Sequence, residues 1–191
     1  IAHQVADLLH DRGISGSVNA DIIRLAQKKE LQPYISLAEK IGSLLAQLKV
    51  GKLQTITVSV NGKILEDSIS ALGAAILKGA IEKTLFEPVN YLSAPVIARE
   101  RGITLELREQ EKHLTYAHVI TVSYKTEKES GYVSGTVFGT EDARIVEMNG
   151  FFVELKPEGC LLFYSNIDKP GMLSAVSTVL VYKDRARHLT H

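Results

Sequence analysis

Ala143-Arg-Ile-Val-Glu-Met-Asn-Gly-Phe-Phe-Val-Glu-Leu155 places branched and aromatic residues on both sides of Asn149-Gly150. Asn-Gly is the dipeptide that best accepts the left-handed backbone of a two-residue hairpin turn. The stretch therefore predicts strands over 143–148 and 151–155, paired antiparallel. Working back toward the N-terminus, residues 132–138, 117–125 and 103–109 carry the same branched and aromatic enrichment and predict three more strands. Earlier still, Leu53, Ile56, Val58 and Val60 stand among Thr and Ser residues, a period-two pattern that ends at the turn pair Asn61-Gly62.

Helical periods fill the remaining sequence. Pro33 suits the first turn of a helix over 33–48, whose Leu37, Ile41, Leu44, Leu45 and Leu48 form one apolar stripe. Gly51 follows as a stop signal. A second helix over 69–86 has Ile69, Leu72, Ile76, Leu77, Ile81 and Leu85 on one face. Gly73 and Gly79 lower its intrinsic propensity, so close packing against another element is expected there. Pro88 marks its end. A third, short helix begins near Ser93 with Pro95 in its first turn and closes at Gly102. Three helices followed by strands that return beside the first strand make an α+β fold, helices packed on an antiparallel or mixed sheet, over about residues 30–156.

Lys156-Pro157-Glu158-Gly159 reads as a boundary, beyond which a strand–turn–helix unit begins. Cys160-Leu-Leu-Phe-Tyr predicts a buried strand with Cys160 an inert buried thiol. Asn166-Ile-Asp-Lys-Pro-Gly predicts a tight turn, and Met172–Leu180 an amphipathic helix. The turn sets Asn166 and Asp168 beside a helix start, where unpaired N–H groups can hold a small carboxylate. Such an arrangement can bind a free amino acid without reacting with it. At the other end, Ile1 joins Val5, Leu8 and Leu9 on a helix face that has no lead-in, so the chain is expected to be a fragment; residues 13–20 read as a linker and 21–29 as a short, partly polar segment.

Bulk properties exclude several functions. Lys plus Arg and Asp plus Glu number 22 each, so no net field steers nucleic acid or an anionic membrane. No apolar run approaches a membrane span, and no stretch reads as a signal peptide. A single cysteine rules out an internal disulfide and a cysteine-cluster metal site. The six histidines, at 3, 10, 113, 118, 188 and 191, never fall in metal-binding spacing with carboxylates. Glu141-Asp142, the run from Glu106 to Glu111 and Lys125-Thr-Glu-Lys-Glu read as solvated turns and strand faces. No glycine-rich dinucleotide loop follows a strand, and no phosphate loop of the nucleotide-hydrolase type occurs. The chain carries no recognisable catalytic, cofactor-binding or metal-binding residues.

Four ordered stretches carry a family resemblance. Ser17-Val-Asn-Ala, Pro33-Tyr-Ile-Ser-Leu-Ala-Glu-Lys-Ile-Gly-Ser-Leu and Val89-Asn-Tyr-Leu-Ser-Ala-Pro-Val-Ile-Ala-Arg-Glu-Arg-Gly-Ile are three of them. The fourth combines Gly135-Thr-Val-Phe-Gly and Arg144-Ile-Val-Glu-Met-Asn-Gly with the Asp168-Lys-Pro-Gly turn. Together they resemble the C-terminal half of long-form D-3-phosphoglycerate dehydrogenases, NAD-dependent enzymes that begin serine biosynthesis. The resemblance implies the end of a catalytic part and a linker over 1–20, an intervening regulatory domain over 21–157, and an ACT (ferredoxin-like) module over 158–191. It implies NAD in the parent enzyme and no cofactor in this chain, L-serine as effector and a homo-oligomer as the assembled state. Neither nucleic acid nor a membrane is implied as a partner, and the compartment is left as cytoplasm or organelle stroma. In ACT modules of this family Asn166 and Asp168 fall at serine-contacting positions. Asp168 would accept from the ligand ammonium, and Asn166 would serve its carboxylate or hydroxyl. Arg144 stands where some relatives use a basic residue to hold an anionic effector, although Phe151 replaces an arginine found in another; a solvated strand position is the plainer reading of Arg144.

The end of the chain departs from the pattern. An ACT module needs four strands and two helices, whereas Leu161–Ile167 and Met172–Leu180 supply one of each. Val181-Tyr-Lys-Asp-Arg-Ala-Arg-His-Leu-Thr-His lacks period two. The module is therefore expected to be incomplete, residues 183–191 disordered or helix-extending, and serine binding weak or absent. Two other readings remain open: a stand-alone amino-acid-binding or oligomerisation module, and the regulatory domain of an iron–sulfur L-serine dehydratase.

Overall fold

The computed structural model describes residues 28–83, 85, 89–109, 115–164, 167 and 169–179. The chain divides into two compact units, Ile1–Pro157 and Glu158–His191. Within the first unit the order is α1 (Gln32–Leu48), β1 (Leu53–Asn61), α2 (Lys63–Glu66), α3 (Ile69–Glu82), α4 (Ser93–Glu100), β2 (Thr104–Glu109), β3 (Val119–Thr126), β4 (Ser130–Phe138), β5 (Asp142–Met148) and β6 (Phe151–Leu155). The six strands form one sheet in the order β2-β1-β3-β4-β5-β6. Only β1 and β2 run parallel; the other neighbours are antiparallel. A parallel pair needs a long crossover, and α2, α3 and α4 supply it between β1 and β2. The α+β architecture and mixed sheet are those the periodicities predict.

Alternation along the strands gives the sheet one apolar face. Ile56, Val58, Val60, Ile120, Val122, Val133 and Ile145 are all at most 1% exposed and join the core. Helix α1 lies over β4 so closely that a Cβ on Gly135 would come 3.1 Å from both Ile41 Cδ1 and Leu37 Cδ2. Leu37, Ile41 and Leu45 of the α1 stripe are buried, each worth about 1.5–3 kcal/mol of apolar burial. On the alternate positions small polar residues pair across strands, as where Thr121 Oγ1 and Ser134 Oγ lie 3.0 Å apart.

The two glycine positions flagged in α3 do permit close packing. Gly79 faces α1, where a Cβ would meet Glu39 O at 2.0 Å; Gly73 faces Leu105 and Leu107 of β2. Gly42 of α1 plays the reciprocal part against Ile76 O of α3. A polar pin crosses the same seam. Lys78 Nζ lies 3.0 Å from Glu39 Oε2, Tyr91 donates its hydroxyl to Glu39 Oε1, and Lys78 Nζ sits 5.3 Å from the Tyr91 ring centroid. Just beyond, Asn90 Oδ1 accepts from the N–H of Leu92 and Ser93, at 2.9 and 2.8 Å, and so caps α4.

β1 ends at Asn61-Gly62 as the turn pair predicts, and Gly62, with φ of 108°, leads into the one-turn helix α2, too short for any periodicity to betray. Two details differ from the sequence reading. The carboxylate runs read as solvated surface are partly engaged. Glu129 accepts from Val50 N–H at 2.7 Å and Tyr124 Oη at 3.1 Å, and Glu106 accepts from Thr57 Oγ1 at 3.2 Å. The second difference is in the second unit. Residues 160–164 form no strand, Cys160 is exposed, and Leu162 and Ile167 are 62% and 75% exposed. An apolar run becomes a buried strand only when neighbours pair its edges and cover its faces, and the described residues of this unit offer no such strand. The helix over 172–179 forms as expected. The helix over 1–10, the linker at 13–20, most of segment 21–29, and the tail 183–191 lie outside the described residues.

Candidate functional site

Arg144 of β5 is placed opposite Thr136 of β4. Asp142, two residues earlier on the same strand face, takes the edge of its guanidinium: Nε lies 3.1 Å from both Asp142 oxygens and Nη2 3.0 Å from Oδ2. Glu154 of β6 approaches Nη1 at 3.5 Å, and Lys156 Nζ reaches Asp142 Oδ1 at 3.0 Å. Hydrogen bonds from Arg144, then from Lys156, hold the Asp142 carboxyl below the ordinary carboxylate range. The cluster holds two cations and two carboxylates, so it is internally neutralised. An external anion would have to compete with Asp142 for both cations. Lys156 was not legible as part of this group, because beside Pro157 it reads as a boundary residue.

A cleft of about 610 Å³ opens where the start of α1 meets the segment before β3 and the β4–β5 turn, whose Glu141 directly precedes Asp142. Lys29, Tyr34, Ile64, His118, Thr140 and Glu141 are among the residues lining it. Tyr34 is only 9% exposed, and its ring meets the His118 imidazole edge-on at 6.2 Å between centroids. Burial pushes its phenol above the usual tyrosine value. Gly62 makes room for this meeting, since a Cβ there would lie 2.4 Å from His118 Cδ2. Thr136 Oγ1 holds the backbone by donating to His118 O. Neither Tyr34 nor His118 stood out in the sequence: the first looks like a helix aromatic and the second like a histidine at the start of a strand in a charged region.

The positions proposed for serine, Asn166 and Asp168, lie outside the described residues, as do His3, His10, His113, His188 and His191. Among the described residues no group of three His, Cys, Asp or Glu side chains is placed to hold a metal ion, and no helix is long and apolar enough to cross a membrane.

The fold and these two clusters define a class: an open mixed-sheet α+β domain with helices on one face, joined to a second small unit, and with polar clusters at the sheet margins. The family model described as the D-3-phosphoglycerate dehydrogenase intervening domain matches residues 30–149. The chain belongs to that family. Among similar proteins, the D-3-phosphoglycerate dehydrogenase of Archaeoglobus fulgidus is 28% identical over 179 residues, covering 94% of this chain and 34% of that protein. Those of Synechocystis and Bacillus subtilis are 27% and 25% identical, covering 94% of this chain and 33% and 34% of theirs. The chain thus spans about a third of the length of these curated relatives.

Proposed function

We propose that this chain is the regulatory C-terminal part of an NAD-dependent D-3-phosphoglycerate dehydrogenase, which oxidises 3-phosphoglycerate to 3-phosphohydroxypyruvate. The observation that carries this reading is the intervening-domain match over residues 30–149, set within relatives of that name that cover 94% of the chain. In this reading NAD and the reacting atoms belong to the rest of the enzyme. The chain's own work is to join subunits and to sense serine as end product. Exposed aromatics on the edge strand β6 support the first role: Phe151 and Phe152 are 73% and 83% exposed. Asn166 and Asp168 would furnish one part of a serine site. Arg144 and Lys156 are candidates for an anionic effector once Asp142 is displaced.

The test is an assay of the whole enzyme that contains this segment. It should reduce NAD on adding 3-phosphoglycerate, while the isolated chain shows no turnover. NAD reduction by the isolated chain, or iron–sulfur-dependent serine deamination by the whole protein, would overturn the reading. Calorimetry of the isolated chain with serine should show no tight, saturable binding.

A further inference from the structure

We propose that the cleft at the start of α1 is a binding site for a small monocarboxylate that carries a branched or aromatic apolar group. Several independent features converge on it. Tyr34 is nine-tenths buried, lines the cleft, and has no hydrogen-bond partner for its hydroxyl among the described residues. No buried side-chain oxygen or nitrogen lacks a partner among them, so this hydroxyl keeps access to solvent and can donate only outward. A hydroxyl that faces solvent from a cleft wall without a protein partner is ordinarily served by water or a ligand. Tyr34 also holds a main-chain N–H that no carbonyl takes up among the described residues, whereas its neighbours Gln32 and Ile35 are paired back to Lys28 and Leu31.

The end of α1 is bare in the electrostatic sense. Its cap residue is Leu31, with no side-chain cap bond, and no acidic residue occupies its first turn. The positive end of a 17-residue helix therefore faces the cleft with no carboxylate in its own first turn. Lys29 and His118 add a cation and a ring nitrogen on the same lining. These are donors suited to a carboxylate. Pro33, Ile64 and Val137 give the ligand's other end an apolar wall. Two carboxylates, Glu30 and Glu141, also line the cleft, so one lysine is outnumbered. That balance disfavours a dianion such as phosphate more strongly than a single carboxylate, which relies on the N–H and hydroxyl donors. The volume lies within the usual range for small-molecule sites, about 300–1,000 Å³. The site shares no residue with the Arg144 cluster and does not depend on the regulatory reading above.

The experiment is an amide-detected NMR titration of the full chain with phenylacetate, and in a second arm with inorganic phosphate. Phenylacetate should produce saturable shifts at Tyr34, His118 and Thr140. Phosphate should leave those residues unmoved. Tyr34→Phe should weaken phenylacetate about five- to tenfold by removing one donor, and Lys29→Gln should weaken it too, without moving the melting temperature. Absence of saturable shifts at tens of millimolar, equal binding by wild type and both variants, or phosphate binding at these same residues as tightly as phenylacetate would each overturn the proposal.

Discussion

Glu39 of α1 accepts a hydrogen bond from the hydroxyl of Tyr91, 52 residues later in the chain. Each lies in one of the blocks that carry the family resemblance, Pro33-Tyr-Ile-Ser-Leu-Ala-Glu and Val89-Asn-Tyr. The two motifs are therefore halves of one contact, closed by Lys78 from α3. Val89 is buried at 4% exposure and Asn90 caps α4, so the second block is a structural joint rather than a reactive site.

Breaking that joint should destabilise the domain. Tyr91→Phe and Glu39→Gln are each expected to cost about 1–3 kcal/mol in urea unfolding, as for a hydrogen bond to a charged, partly buried group. The double variant should cost less than the sum, because both remove the same bond. Burial, then the hydrogen bond from Tyr91 to Glu39, raises the Tyr91 phenol well above the ordinary tyrosine value. Its folded value lies above the unfolded one. The stabilisation is therefore complete below about pH 10, the unfolded tyrosine value, and is lost as pH rises through the folded value. Spectrophotometric titration should show the highest-pH tyrosine step vanish in Tyr91→Phe.

The crossing of α1 and α3 depends on two glycines. A Cβ on Gly42 would sit 2.1 Å from Ile76 O, and one on Gly79 2.0 Å from Glu39 O. Both obstacles are backbone and cannot swing away. Gly42→Ala and Gly79→Ala should each cost at least about 1–3 kcal/mol by overpacking, outweighing alanine's better helix propensity. Gly73→Ala is the comparison, since the atoms nearest its Cβ belong to the side chains of Leu107 and Leu105. It should be the mildest of the three by chemical denaturation.

The contrast between Gly79 and Tyr34 shows where sequence reading reaches and where it stops. A glycine inside an apolar helix announces a close neighbour, because little else compensates its lost propensity, and both α3 glycines met one. Strand and helix positions were legible for the same reason: period and turn chemistry are local. The cleft was not, because Tyr34 and His118 are each unremarkable locally and acquire meaning only when Gly62 lets β1 and the segment before β3 approach. Cys160-Leu-Leu-Phe-Tyr misled in the opposite direction. Its composition is that of a buried strand, but burial depends on partners that this run does not encode.

The Asn149-Gly150 turn should tolerate little change. Both residues adopt positive φ, 49° and 84°. Asn149 also accepts from the Tyr132 N–H through its side chain at 2.8 Å and donates its own N–H to Tyr132 O at 3.0 Å. Asn149→Ala keeps the second bond, loses the first and places a less tolerant residue in the left-handed region. A loss of about 1–3 kcal/mol in thermal or urea unfolding is expected. Asn149→Gly should recover the backbone part of that loss and leave the hydrogen-bond part.

The last prediction concerns Asp142, whose carboxyl is held low by Arg144 and Lys156. A depressed folded value means that its contribution to stability is present above the unfolded carboxylate range and is lost as pH falls through the folded value. Carboxyl-carbon NMR should find Asp142 titrating below the other aspartates, and Arg144→Gln should move it upward toward them. Asp142→Asn removes the internal anion that pairs with both cations, leaving Arg144 with only the more distant Glu154. Inorganic phosphate should then bind at Arg144 and Lys156 more tightly than in the wild type, with an affinity that falls as salt is added. Equal phosphate binding before and after the substitution would show that Asp142 does not guard these cations.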